Sequence, residues 1–273
     1  MFRRKQTPPS GQRLRNCSVP ANTVVWAVGD VHGQDDLLEC LLSVIRTDLQ
    51  KPENLHRRVV FLGDYVDRGL GSRKVIDMLI ALRAELEAQK VELVTLMGNH
   101  EALLLQFIDE PVIGPDWMEL GGRETLLSYD VSVPANNDPE GWVEASTNLL
   151  KSLPLDHLEF FETLPLSETV GDFFFVHAGV RPGVKLEDQT AKDMMWIRDG
   201  FLRDSRSFDK IIVHGHTPTE DVYADDRRIC VDTGGYATGV LSALRLQART
   251  QLVVQTRRNR DRVRLQSRPL LAD

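Results

Sequence analysis

Asp30 and His32 stand two residues apart in the turn Gly29-Asp30-Val31-His32-Gly33, directly after the apolar run of residues 24–28. A hard carboxylate oxygen and an imidazole nitrogen at that spacing can reach one divalent ion, and the flanking glycines let the backbone turn closely around it. A second turn, Gly63-Asp64-Tyr65-Val66-Asp67-Arg68-Gly69, follows another apolar run. Asp64, at the strand end, could bridge two ions with one carboxylate, and Asp67 and Arg68 come one turn later. The third, Gly98-Asn99-His100-Glu101, offers an amide oxygen as a neutral ligand and sets His100 beside the ions without requiring it to bind them. His177-Ala178-Gly179 and His214-Gly215-His216-Thr217 add further imidazoles.

Each turn, taken singly, has an ordinary explanation. An aspartate can be solvated in a surface turn, an Asp-Arg pair can be a surface pair of little energetic value, and Asn99 can be a helix N-cap. A histidine at a strand end is commonly just hydrogen-bonded. Five of the seven histidines fall in these turns, however, leaving only His56 and His157 elsewhere, and separate structural explanations for all five turns are jointly improbable.

The elements that must position these turns read as an α/β layout, with short apolar runs alternating with longer helical patterns. Residues 23–28, 58–62, 91–97 and 172–176 read as buried strands, and residues 211–213, 228–231, 241–246 and 251–256 form a late cluster that predicts a second sheet. Open α/β sheets bind ligands outside the carboxyl ends of their strands, so the five turns should converge. Leu37, Leu38, Leu41, Leu42 and Ile45 share one helical face, as do Val75, Ile76, Leu79 and Leu86 behind a Ser72 N-cap. Residues 102–170 are mostly helical in pattern, contain Trp117, Gly121, Gly122 and Trp142, carry none of the polar turns, and are expected to wall the substrate site.

The set GDVHG, GDYVDRG, GNHE, HAG and GHT, in this order from Gly29 to Thr217, resembles the calcineurin-like metallophosphoesterases and, within them, the phosphoprotein phosphatases and their bacterial and phage-type relatives. The resemblance implies two packed mixed β-sheets flanked by helices, an α/β/β/α sandwich. It also implies two divalent metal ions. Asp30 and His32 would bind one, Asp64 would bridge, and Asn99, His177 and His216 would bind the other; His214 is left without a role. His100 would be the general acid, oriented by Asp67, and Arg68 would hold phosphate oxygens, joined by Arg198 in the segment Trp196-Ile197-Arg198. A hydroxide bridging the ions would attack phosphorus directly. Pro218, where the wider superfamily often has a further histidine, agrees with the phosphatase branch, whereas Met97 replaces an arginine common just before GNHE. Mixed nitrogen and oxygen ligands suit manganese, iron or zinc, and bacterial relatives favour manganese.

Composition sets the outer bounds. Of 273 residues, 42% are hydrophobic and 27% charged, as expected of a soluble globular chain. The net charge of −7 is uneven: residues 1–16 and 249–273 together carry about +10, leaving the body near −17. An acidic body repels phosphate unless bound cations reverse the local field, which favours metal-dependent chemistry over nucleic-acid binding. Residues 1–22 and 257–273 are expected to be basic, solvated tails around a single domain of residues 23–256. Cys17, Cys40 and Cys230 form no CxxC pair, and no apolar stretch reaches membrane-spanning length, so a cytosolic protein without a membrane partner is expected. The expected substrate is phosphoserine or phosphothreonine in a protein, or another small phosphate ester. The alternatives are a symmetrical-type dinucleoside polyphosphate hydrolase and a non-catalytic scaffold, the last disfavoured because no ligand position is lost.

Overall fold

The computed structural model describes residues 11–51, 55–260 and 262–271. Arg3, Arg4, Lys5, Asp261 and Asp273, counted above among the terminal charges, lie outside the described residues. In chain order the elements are α1 (Gln12–Asn16), β1 (Thr23–Val28), α2 (Asp35–Leu49), β2 (His56–Phe61), α3 (Ser72–Ala88) and β3 (Glu92–Thr95). The helical insert follows as α4 (Asn99–Asp109), α5 (Gly114–Glu119), α6 (Gly122–Ser128), α7 (Pro139–Ser152) and α8 (Leu155–Glu162). The chain continues through β4 (Ser167–Val170), β5 (Phe173–Val176), α9 (Ala191–Trp196), α10 (Asp199–Leu202), β6 (Ile211–His214), β7 (Tyr223–Ala224), β8 (Arg228–Cys230) and α11 (Gly235–Thr238). It ends in β9 (Val240–Gln247), β10 (Thr250–Asn259) and β11 (Arg262–Pro269).

Two mixed sheets result, one ordered β11-β10-β9-β1-β2-β3 and the other β4-β5-β6-β8-β7. Alternation along β1 shows how they stack. Val25 and Ala27 join Phe173, Phe175, Ile211 and Val213 of the second sheet in one buried cluster, while Trp26 and Val28 face Leu38, Leu41 and Ile45 of α2 in another. The outer face of the second sheet, through Phe174, Val176 and Ile212, packs on Met194 of α9 and Phe201 of α10. The layers therefore run helices, sheet, sheet, helices. No helix among the described residues is long and apolar enough to cross a membrane.

Three expectations change. The late strands do not all form the second sheet: β9, β10 and β11 extend the first, because β9 pairs antiparallel to β1, whereas β5, grouped by sequence with the early strands, lies in the second. Residues 257–259 and 262–269 are not a tail, since β10 runs to Asn259 and β11 pairs along it from Arg262 to Pro269. A strand needs only its backbone to pair, so arginines can stand on its open side. The N-terminal segment is likewise docked: Leu14 and Val19 enter the core between the sheets, and the Arg13 and Leu14 amides donate to Asp226 at 2.8 and 3.1 Å.

Candidate metal centre

The five turns leave the carboxyl ends of β1, β2, β3, β5 and β6 and converge. His32, Asp64, Asp67, Arg68 and His216 have φ of 46°, 54°, 69°, 67° and 64°, half of the ten non-glycine residues in the left-handed region among those described. Each such backbone costs on the order of 1–3 kcal/mol and persists only where its surroundings over-determine it. Here the loops stitch one another. The amides of Val31 and His32 donate to the Asp64 carbonyl at 3.0 and 2.9 Å, and that of His216 donates to Asp30 Oδ2 at 2.9 Å. The buried Glu101 carboxylate accepts from the amides of Asp64, Tyr65 and Gly98 at 2.9, 2.7 and 3.1 Å, tying the second turn to the third. Gly63 is required: its φ is 101°, and a Cβ there would press on the Gly98 backbone and the His177 ring. At Gly215 a Cβ would collide with the Asp30 carboxylate.

Asp64 is the pivot. Its Oδ1 lies 3.3 Å from His177 Nε2 and its Oδ2 lies 3.4 Å from His32 Nε2, so one carboxylate faces two nitrogen sets. Two groups of ligand atoms, each within 4.8 Å of one another, share it: His32, Asp64 and His100, and Asp64, His177 and His216. His32 Nδ1 donates to the Val66 carbonyl at 2.8 Å, and His177 Nδ1 to that of Leu62 at 2.8 Å. A carbonyl can only accept, so Nδ1 carries a proton in both rings and Nε2 is the nitrogen left facing the cluster, the usual arrangement behind metal-binding imidazoles. Asn99 starts α4 behind a Gly98 N-cap, and its side chain does not cap: Oδ1 stands 2.9 Å from His177 Nε2.

The donor set fits divalent ions on two further counts. Asp30 Oδ1 and His32 Nε2 are buried without a hydrogen-bond partner among the described residues. The carboxylates also repel one another. Burial, then the charges of Asp232 and Asp64, push Asp30 well above the usual carboxylate range, and burial pushes Asp232 up to about 6. Burial resists ionisation of Asp64 as well, but His177 and His100 hold it well below that range. Burial, reinforced by His177, pushes His216 down to about 2, keeping its imidazole neutral. Buried anions beside neutral imidazoles are what a cation would stabilise.

His100 has a different connection. Its Nδ1 donates to Asp67 Oδ2 at 2.6 Å, while Nε2 lies 3.1 Å from an Arg68 guanidinium nitrogen and 3.7 Å from Asp64. Burial opposes a charge on His100, yet Asp64 and the Asp67 hydrogen bond raise its pKa above the usual value. Arg68 stacks on Tyr236 at 4.5 Å, and Tyr236 packs edge-on against His32. On the opposite side Arg198 Nε donates to His216 Nε2 at 2.9 Å.

His214, by contrast, points away from the cluster. Its Nδ1 donates to the Gly215 carbonyl at 3.0 Å, its Nε2 accepts from the buried Arg228 at 3.2 Å, and its ring packs on Phe201. Ser72 is not an N-cap; its hydroxyl accepts from the Asp67 amide at 3.1 Å. The sequence reading missed four contributors. Asp232, at the end of β8, was accessible to the same strand-end rule. Glu101 was part of a motif but had no role. Trp117 and Thr125 of the insert both bond Asp67, and nothing in their residue type marks them.

The calcineurin-like phosphoesterase profile matches residues 23–252. An asymmetrical bis(5'-nucleosyl)-tetraphosphatase PrpE from Anoxybacillus flavithermus is 25% identical over 238 residues, covering 80% of this chain and 88% of its own length. The PP2A-like serine/threonine-protein phosphatase PPG1 of Candida albicans is 29% identical over 167 residues, 60% of this chain and 31% of its own length. In fold, a cold-active protein-tyrosine phosphatase of a psychrophilic Shewanella superposes with a TM-score of 0.52 over 92% of this chain and 86% of its own, at 15% identity. By sequence, layer order and the convergence of its motif turns, the chain belongs to the calcineurin-like phosphoesterases, metal-dependent hydrolases.

Proposed function

We propose that this protein is a dinuclear-metal phosphomonoesterase whose substrates are phosphoserine and phosphothreonine in proteins. Asp30, His32 and Asp64 would hold one ion, and Asp64, Asn99, His177 and His216 the other, with manganese the favoured metal. When bound, the ions supply the nucleophilic water and part of the charge that neutralises the phosphoryl group. Arg68 grips phosphoryl oxygens from the His100 side. Arg198 does so from the His216 side. His100, its ring fixed through Nδ1 by Asp67, delivers a proton from Nε2 to the departing oxygen. Three free cysteines accord with a reducing cytosol.

The observation that carries the monoester reading is the pair of guanidiniums on opposite sides of Asp64, one near His100 and one on His216. Two arginines and two ions suit a terminal, dianionic phosphoryl group, because an inner phosphorus of a polyphosphate has one non-bridging oxygen fewer and a lower charge. A second reading, hydrolysis of dinucleoside polyphosphates, is favoured by the PrpE relative, which matches over 88% of its length. By its name that relative cleaves asymmetrically, whereas the alternative raised from sequence was of the symmetrical type. The test is manganese-dependent turnover of a phosphoserine and phosphothreonine peptide panel, by phosphate release, against diadenosine tetraphosphate, by chromatography of the nucleotides, with Asp64→Asn as the blank. Faster peptide turnover is expected. Faster dinucleotide turnover would replace the first reading with the second.

A further inference from the structure

Asp67 is held on every side, and the groups that hold its carboxylate come from the helical insert. Its Oδ2 accepts from His100 Nδ1 at 2.6 Å and from Trp117 Nε1 of α5 at 2.8 Å. Its Oδ1 accepts from the Thr125 hydroxyl of α6 at 2.6 Å, and the same hydroxyl accepts from the Asp67 amide at 2.8 Å. Thr125 therefore grips both the backbone and the carboxylate of one residue. The Asp67 side chain is fully buried, so no water competes for these bonds. A carboxylate with a donor tied to each oxygen cannot rotate about its terminal torsion without breaking a buried hydrogen bond.

The brace is itself fixed. Trp117 is fully buried, lies 4.9 Å from Phe107 between ring centroids, and sits over Gly122, where a Cβ would collide with the indole. At the junction of the same helices, the Gly121 carbonyl accepts from the Arg68 amide at 3.0 Å. The insert thus reaches both residues that follow Val66 in the second turn.

We propose that Trp117 and Thr125 are positioning residues: by fixing the Asp67 carboxylate they aim His100 Nε2 at the leaving oxygen of the phosphate ester. This rests on the reading of His100 as the leaving-group acid. The consequence is selective. An alkoxide needs the proton to depart, whereas p-nitrophenolate departs without it, so a misaimed imidazole slows alkyl phosphates and spares activated aryl phosphates.

The experiment compares a phosphoserine peptide with p-nitrophenyl phosphate for the wild type, Thr125→Val, Thr125→Ser, Trp117→Phe and His100→Asn, with metal content and thermal melting measured on every variant. Thr125→Val should lower kcat on the peptide about tenfold or more and leave the aryl ester within about threefold. KM and metal content should not change, and Thr125→Ser, which restores the hydroxyl, should recover the peptide rate. A non-kinetic readout is the His100 Nδ1–H proton resonance, which should broaden by exchange in Thr125→Val and sharpen again in Thr125→Ser. Equal slowing of both esters, undiminished peptide turnover or no rescue by serine would overturn the proposal. If Trp117→Phe does not fold, the near-isosteric Thr125→Val decides alone. Should His100→Asn slow both esters equally, the leaving-group reading of His100 falls; should it be selective while Thr125→Val is not, only the positioning role falls.

Discussion

The strand-end turns and the helical insert both terminate on Asp67, and they hold it by opposite means. The turns hold their residues through backbone: left-handed residues, glycines without room for a Cβ, and amides spent on the Asp64 carbonyl and the Glu101 carboxylate. The insert uses ordinary regular helix, and two of its side-chain groups, an indole N–H and a hydroxyl, reach across to the Asp67 carboxylate. A backbone-built site demands particular residue types at fixed spacing. A site braced by side chains from packed helices demands only that one atom arrive at the right place, and many sequences can arrange that.

The sharpest way to break this contrast is at the pivot. Asp64→Asn should reduce kcat/KM by three orders of magnitude or more, on the order of 4 kcal/mol of transition-state stabilisation, with loss of bound metal by calorimetric titration. Retained metal and activity would remove the bridging role. The next test separates two histidines two residues apart. His216→Ala should lose metal and turnover while its melting point stays close to that of the wild type. His214→Ala should keep metal but lose about 2–4 kcal/mol of stability in denaturant titration, because the buried Arg228 is left without its acceptor. The reverse pattern would exchange their roles.

How far the site could be read from sequence follows from the same contrast. Ligand candidates were visible because metal binding restricts chemistry to carboxylate, amide and imidazole, and the left-handed turns restrict the neighbours to glycine. The two-sheet stacking was visible through the family resemblance. The sheet assignment of the late strands was not, because hydrophobic runs reveal that a strand is buried but not its partner. β11 looked like part of a charged tail because it is mostly exposed and is held by backbone pairing rather than by its side chains. Trp117 and Thr125 were invisible because a buried indole and a buried hydroxyl are common in any core.

Beneath the loops, acid should loosen the scaffold first. Asp48, at the end of α2, accepts from Trp26 Nε1 of β1 at 3.0 Å and from Arg245 of β9 at 2.6 Å. Burial raises its pKa, but the Arg245 and Lys51 hydrogen bonds prevail and hold it below the ordinary carboxylate range. A depressed folded-state pKa gives stability that is fully present above the unfolded value of about 3.9 and is lost as the pH falls through the folded one. Asp48→Asn should therefore show a shallower loss of melting temperature below about pH 4 than the wild type. The smallest expected effect lies in the insert. Trp142 Nε1 is buried with no partner among the described residues, so Trp142→Phe forfeits no hydrogen bond. It should change stability by less than Trp117→Phe does and leave the alkyl-to-aryl rate ratio untouched. A change in that ratio would extend the brace beyond Asp67's direct partners.

The outermost strand has a consequence for how copies of this protein meet. β11 closes one side of a six-stranded sheet, and among the described residues its outer backbone edge pairs with no further strand, leaving a template on which another strand could zip. Arg262 and Arg264 line this strand, Arg268 is paired with Asp221 at 2.7 Å, and Pro269 closes the strand without an amide to donate. A second copy approaching edge to edge would bring guanidinium against guanidinium before any backbone bond formed. The same arginines that made the segment look like an unstructured tail thus guard the sheet against growing past its last strand.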